Sequence, residues 1–157
     1  MGLEGFFDYD ESGDGEGDAL DFLPSFGEAQ WEALLAFTVT ERHDAGRVIL
    51  PLGERERALY IIGEGEVEVR AGTPPRQQRI ALCNGGDVIG EQVFLDGQAR
   101  SAEVRALTDV SLIKLGYDAF EAFAARYPEL ARAFLLDLGR ILSLRLRKTT
   151  ALLIARR

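Results

Sequence analysis

A chain of 157 residues, 46% of them hydrophobic, is the size of one ordinary domain and can build a single core without external staples. Its one cysteine, Cys83, excludes an internal disulfide, and its one histidine, His43, excludes the clustered imidazoles of a histidine-rich metal centre. A net charge of −8 argues against nucleic-acid binding, which draws most of its affinity from lysine and arginine.

Residues 1–17 hold five glycines among many acids, the composition of a disordered tail. Phe6, Phe7 and Tyr9 interrupt it and could dock on an apolar groove of a partner or of the chain's own domain. Residues 1–21 carry eight acids and no base, the reverse of a secretory signal, and Phe6 breaks the myristoylation pattern. No apolar run approaches the roughly 18 residues of a membrane span. The expectation is a soluble, cytoplasmic protein with no membrane contact, its one folded domain running over 18–157.

Within that domain, helices are expected over 18–37. Leu20, Phe22 and Leu23 precede a break at Pro24, and Trp31, Leu34, Leu35 and Phe37 then share a helical face. Over 38–116 the hydrophobic period falls to two and glycine recurs at Gly46, Gly53, Gly65, Gly72, Gly86, Gly90 and Gly97, which predicts short strands joined at tight corners. Glu66 to Arg70 alternates most clearly, and Pro74 and Pro75 mark an exposed hairpin tip. Cys83, in the run Ile80-Ala81-Leu82-Cys83, reads as a buried small hydrophobe, and His43 as a surface strand residue. Neither has the neighbours that catalysis or metal binding needs, so no enzyme and no metal are expected.

After Gly116 the period returns to helix, first from Tyr117 to Arg126 and then from Glu129 onward, the two making up C-terminal helices over 117–157. On the last helix Leu135, Leu138, Leu142, Leu146 and Leu153 form one stripe, with Phe134, Ile141 and Leu152 adjoining. One stripe serves the chain's own core and the other a second copy, which predicts a homodimer built on Leu138, Leu142 and Leu146. The basic end of this helix reads as a solvated face. The fold class is mainly β: an antiparallel, jelly-roll-like β-roll with N-terminal helices and a long C-terminal helix.

The chemistry concentrates in residues 85–112. Val104 and Ala106 alternate with Glu103 and Arg105 and face the core, and stepping back by twos turns Ala102 and Arg100 inward as well. An arginine aimed inward calls for an anion, and its guanidinium fork suits phosphate. Upstream, Ile89-Gly90-Glu91 ends a strand and Gln92 to Asp96 form a helical turn. Glu91 cannot bind phosphate, so its ligand partner is a hydroxyl donor. Arg100 and Ser101 for phosphate, with a carboxylate for a hydroxyl, describe a phosphorylated sugar.

The same segment resembles the phosphate-binding cassette of cyclic-nucleotide-binding domains, found in catabolite activator proteins, kinase regulatory subunits and gated channels. The resemblance runs from about Asp18 and includes Ala45 to Ile49, Leu59-Tyr60, Gly65 to Val69 and Gly86-Asp87. It implies that cyclic AMP or cyclic GMP binds at Gly90, Glu91, Gln92, Val93, Arg100, Ser101 and Ala102. Glu91 would take the ribose 2′-hydroxyl and Arg100 with Ser101 the cyclic phosphate. Thr149, Thr150 or Arg145 of the long helix would meet the base. Val93 stands where the family usually has a smaller residue, and Arg55-Glu56-Arg57 replaces its usual turn of Pro, Gly and Asp. The chain ends at Arg157 without a helix-turn-helix, so the expected output is contact with an effector protein that the sequence leaves unidentified. One alternative stays open: Glu91 and Arg100 pair with each other in a degenerate, ligand-free roll that serves as a dimerisation adaptor.

Overall fold

The computed structural model describes residues 22–155. The expected tail at 1–17, its three aromatics and the start of the expected helical region at 18–21 lie outside the described residues. Helix α1 (Glu28–Leu35) leads into eight strands: β1 (Val39–His43), β2 (Val48–Leu50), β3 (Ala58–Glu64), β4 (Glu66–Ala71), β5 (Gln78–Asn84), β6 (Val88–Ile89), β7 (Ala102–Ala106) and β8 (Val110–Gly116). Helix α2 (Glu91–Asp96) separates β6 from β7, and α3 (Tyr117–Arg126) and α4 (Pro128–Ala155) close the chain.

The strands make two four-stranded sheets, ordered β1-β8-β3-β6 and β2-β7-β4-β5. Every pairing is antiparallel, as expected of a roll. The first sheet is covered on both faces, and β3 shows why its sequence is a continuous apolar run. Ala58, Tyr60 and Ile62 face the second sheet in a core with Val67, Val69, Ile80, Cys83, Val104 and Leu112. Leu59 and Ile61 face the helices in a core with Phe94, Leu115, Phe120, Phe123 and Phe134. A strand buried on both faces has no room for polar alternation. Cys83 is sealed between the sheets, and burial, with Asp87 nearby, pushes its thiol up to about 12, so it is a packing residue.

Three local expectations are corrected. Among the described residues only Glu28–Leu35 of the expected helical region 18–37 precedes the roll as helix. Phe22 and Leu23 are buried but not helical: Leu23 takes a left-handed φ of +58°, and its N–H donates to Asp137 Oδ2 of α4 at 2.6 Å. On α1 itself Leu34 is buried, Leu35 is exposed, and Phe37 follows the helix end. Glu68 of β4, expected on the wet face of an alternating strand, is only 3% exposed because Arg70 and Arg79 fold over it. On α4 the packed stripe is Phe134, Leu138 and Ile141, so Leu138 belongs to the chain's own core and not to an interface. Leu135, Leu136, Leu144, Leu146, Leu153 and Ile154 are the exposed large apolar residues of that helix.

Candidate functional site

The turn from β6 into α2 is shaped by Gly90, which caps the helix at φ +75°. A Cβ there would lie 2.9 Å from Arg100 Nη1 and 3.2 Å from Ala58 O, so only glycine lets the guanidinium lie against this turn. Facing it, Arg100 and Ser101 lead into β7, held by two backbone bonds to the β2–β3 connection. Gly53 N–H donates to Arg100 O at 3.0 Å, and Arg100 N–H donates to Glu54 O at 2.8 Å.

Between these segments is a cavity of about 150 Å³. Gly90, Glu91, Gln92, Val93, Arg100, Ser101 and Ala102, the seven residues singled out from the sequence, all line it. Val69, Ile80, Ile89 and Val104 complete its walls. The sequence reading missed these four as site residues, although their alternation on inward strand faces carried the signal. The result is a cleft apolar on one side and polar on the other.

Arg100 is 6% exposed, and its Nε and Nη2 have no hydrogen-bond partner. Nε lies 3.4 Å from Glu54 Oε2, an ion pair without hydrogen-bond geometry, and 29% of the Glu54 side chain remains exposed. Glu54 was not foreseen, because its meeting with Arg100 depends on the backbone bonds between two segments distant in sequence.

Glu91 is 3% exposed and does not pair with Arg100. Its Oε1 accepts from Arg145 Nη1 of α4 at 2.9 Å, and Arg145 Nη2 donates to Val88 O at 2.9 Å. Arg145 therefore reaches the back of the cavity wall from the long helix. Thr149 and Thr150 do not reach the cavity: their hydroxyls donate to Arg145 O and Leu146 O of their own helix. Glu103 points to the opposite face of β7, where it accepts from Gln77 and Arg105. Among the described residues there is no group of three or more His, Cys, Asp or Glu placed to hold a metal. No described helix is long and apolar enough to cross a membrane.

The arrangement offers a cationic fork with two unsatisfied donors, a serine, a buried carboxylate and an apolar wall. This is a donor and acceptor set for an anionic sugar bearing a flat apolar group.

Comparison with known proteins gives a consistent picture. Residues 40–127 match the family model described as "Cyclic nucleotide-binding domain". The "Cyclic AMP receptor protein" of Thermus thermophilus is 30% identical over 125 residues, 78% of this chain and 56% of the relative. The "cAMP-dependent protein kinase regulatory subunit" of Emericella nidulans is 35% identical over 82 residues, 52% of this chain and 19% of the relative. The chain thus spans about a fifth to just over half of these curated relatives. Among solved structures, a cyclic nucleotide-binding domain from Methylobacillus flagellatus superposes with a TM-score of 0.77 at 26% identity, covering 84% of this chain and 75% of that one.

Proposed function

Since this chain belongs to the cyclic nucleotide-binding domain family, we propose that the cavity between α2 and β7 receives cyclic AMP or cyclic GMP and that the chain is a sensor acting on a partner protein through α4. The observation that carries this reading is Arg100. A guanidinium 94% buried beside a cavity, with Nε and Nη2 unsatisfied, holds donors that a phosphate oxygen would satisfy. Ser101 adds a hydroxyl to the same anion. Glu91, with Oε1 engaged by Arg145, would take a ribose hydroxyl on its remaining acceptor capacity, and the valine and isoleucine wall would receive the base. Names among the relatives support both nucleotides, since they include cyclic AMP and cyclic GMP proteins.

The output we assign to α4. Leu135, half-buried Leu142, Leu146 and Leu153 recur at heptad spacing along its outer side, the pattern of two such helices paired in a homodimer. The effector would then meet this dimer, in the cytoplasm. One observation favours the competing adaptor reading: Glu91 already has a protein partner in Arg145.

A thermal-shift series separates the two. With cyclic AMP, cyclic GMP and a 2′-deoxy analogue at millimolar concentration, the sensor reading expects a raised melting temperature for at least one natural nucleotide and a smaller rise for the analogue. No shift with any of them would leave the adaptor.

A further inference from the structure

Arg57 lies in the β2–β3 connection and does not line the cavity, yet its guanidinium hydrogen-bonds the last turn of α2. Its Nε and Nη2 donate to Phe94 O at 3.1 and 2.9 Å, and Nη2 also donates to Leu95 O at 3.0 Å. Its guanidinium carbon sits 3.7 Å from the centroid of the Tyr117 ring, at the first turn of α3. Its own carbonyl accepts from Tyr117 N–H at 2.8 Å. One side chain thus joins the end of α2 to the start of α3.

Six residues are too few to persist as a helix unaided, and α2 is hung between two left-handed glycines, Gly90 at φ +75° and Gly97 at φ +68°. Its last turn leaves carbonyls that must find partners. Val93 O accepts from Gly97 N–H, while Phe94 O and Leu95 O accept from Arg57. The front of the same short helix carries Glu91, Gln92 and Val93 into the cavity wall. Whatever fixes the back of α2 therefore fixes the front.

We infer that Arg57 is a positioning residue for the cavity: it holds α2 in the one placement that keeps Glu91, Gln92 and Val93 opposite Arg100, and so sets ligand affinity without touching the ligand. The inference rests on the cavity being a cyclic-nucleotide site. Its physical basis is that the apparent dissociation constant is the intrinsic one divided by the fraction of molecules with α2 in place. A lysine cannot substitute, because one ammonium cannot bond two carbonyls and stack flat on a tyrosine.

The experiment titrates wild type, Arg57→Gln and Arg57→Lys with cyclic AMP and cyclic GMP in a calorimeter, and follows amide hydrogen exchange in the unliganded proteins. Arg57→Gln should weaken binding about tenfold, the expected result if α2 is in place about one tenth of the time. Exchange should accelerate at amides 92–96 and stay unchanged at Leu59 to Ile62 of β3. Arg57→Lys keeps the stem and the charge; should the glutamine variant fold poorly, it carries the same test with an expected loss of about threefold. Wild-type affinity in both variants, or faster exchange spread equally through β3, would overturn the inference alone. Absence of binding by wild type would instead overturn the reading of the cavity, and the inference with it.

Discussion

Replacing Arg100 by leucine should move stability and affinity in opposite directions. In the unliganded protein Arg100 is 94% buried, and two of its donor atoms have no hydrogen bond. Each such atom costs about 1–3 kcal/mol of desolvation that nothing inside the protein returns. The Glu54 side chain beside it is 29% exposed, although Oε2, the atom that faces Arg100, is buried and makes no hydrogen bond. Leucine therefore removes two orphaned donors, but Glu54 Oε2 loses its counter-charge and must turn toward the water that the rest of its side chain reaches, and the smaller volume enlarges the cavity; both take back part of the gain. The net expectation is a melting temperature between unchanged and about 5 °C higher, at roughly 2–4 °C per kcal/mol for a chain of this length. Affinity should fall sharply, because two charged hydrogen bonds to a phosphate together contribute about 3 kcal/mol, or a hundredfold in dissociation constant. Differential scanning calorimetry without ligand and isothermal titration with cyclic AMP and cyclic GMP read the two effects. A fall of more than about 5 °C with an unchanged dissociation constant would refute the reasoning, since Arg100 would then serve the fold and not a ligand.

Gly90→Ala adds a Cβ 2.9 Å from Arg100 Nη1 at a left-handed φ, so it should destabilise the protein by about 1–3 kcal/mol and weaken nucleotide binding, both measurable in the same two instruments. Glu68 gives a pH test. Burial opposes its charge, but hydrogen bonds and ion pairing with Arg79 and Arg70 outweigh that and hold its carboxyl below the usual carboxylate range. Its folded pKa is thus lower than its unfolded one, so its contribution is present above about pH 5 and is lost as pH falls through the folded value. Glu68→Gln should lower the melting temperature at pH 7 yet differ little from wild type near pH 2, and a constant difference across that range would contradict the assignment. Leu146→Glu charges the exposed side of α4, where Leu146 is 58% exposed, and should convert a sedimenting dimer to a monomer; equal sedimentation of the two as monomers would remove the dimer.

The cavity wall was legible in the sequence because it is built from local rules. Strand alternation counts back from Val104 and Ala106 to Arg100, and a glycine before a short apolar turn marks the entry to α2. What was not legible depends on contacts between distant segments. Glu54 meets Arg100 only because backbone bonds tie the β2–β3 connection to the segment before β7. Leu138 could be placed on either stripe of α4 by spacing alone, and it packs inward because Phe134 and Ile141, its neighbours on the helix, face α3 and Phe22. Phe22 and Leu23 follow an apolar pattern that fits helix equally well, and it is Asp137, 114 residues after Leu23, that takes the Leu23 N–H out of helical bonding. Glu68 sits on the strand face that alternation marks as wet, and no rule of period two registers two arginines closing over it.

The two buried arginines differ in what an incoming ligand would have to displace, and the difference bears on how α4 could respond. Glu54 Oε2 is buried, but 29% of its side chain is exposed, so a phosphate approaching Arg100 displaces a carboxylate that has water within reach to turn to. Glu91 and Arg145 are 3% and 2% exposed, and separating them would leave a charge sealed without its partner, at about 3–5 kcal/mol. A ribose hydroxyl that joined Glu91 beside Arg145 would avoid that cost, whereas one that replaced Arg145 would incur it. Shortening the chain after Gly139 would strip Ile141 from the core along with Arg145, and the roll would lose stability with it. Helix α4 is thus part of the wall that holds Glu91. A signal leaving the cavity by this route must pass as a shift of Glu91 and Arg145 together, with their bond kept, because the departure of the helix would cost more than one hydroxyl contact could offset.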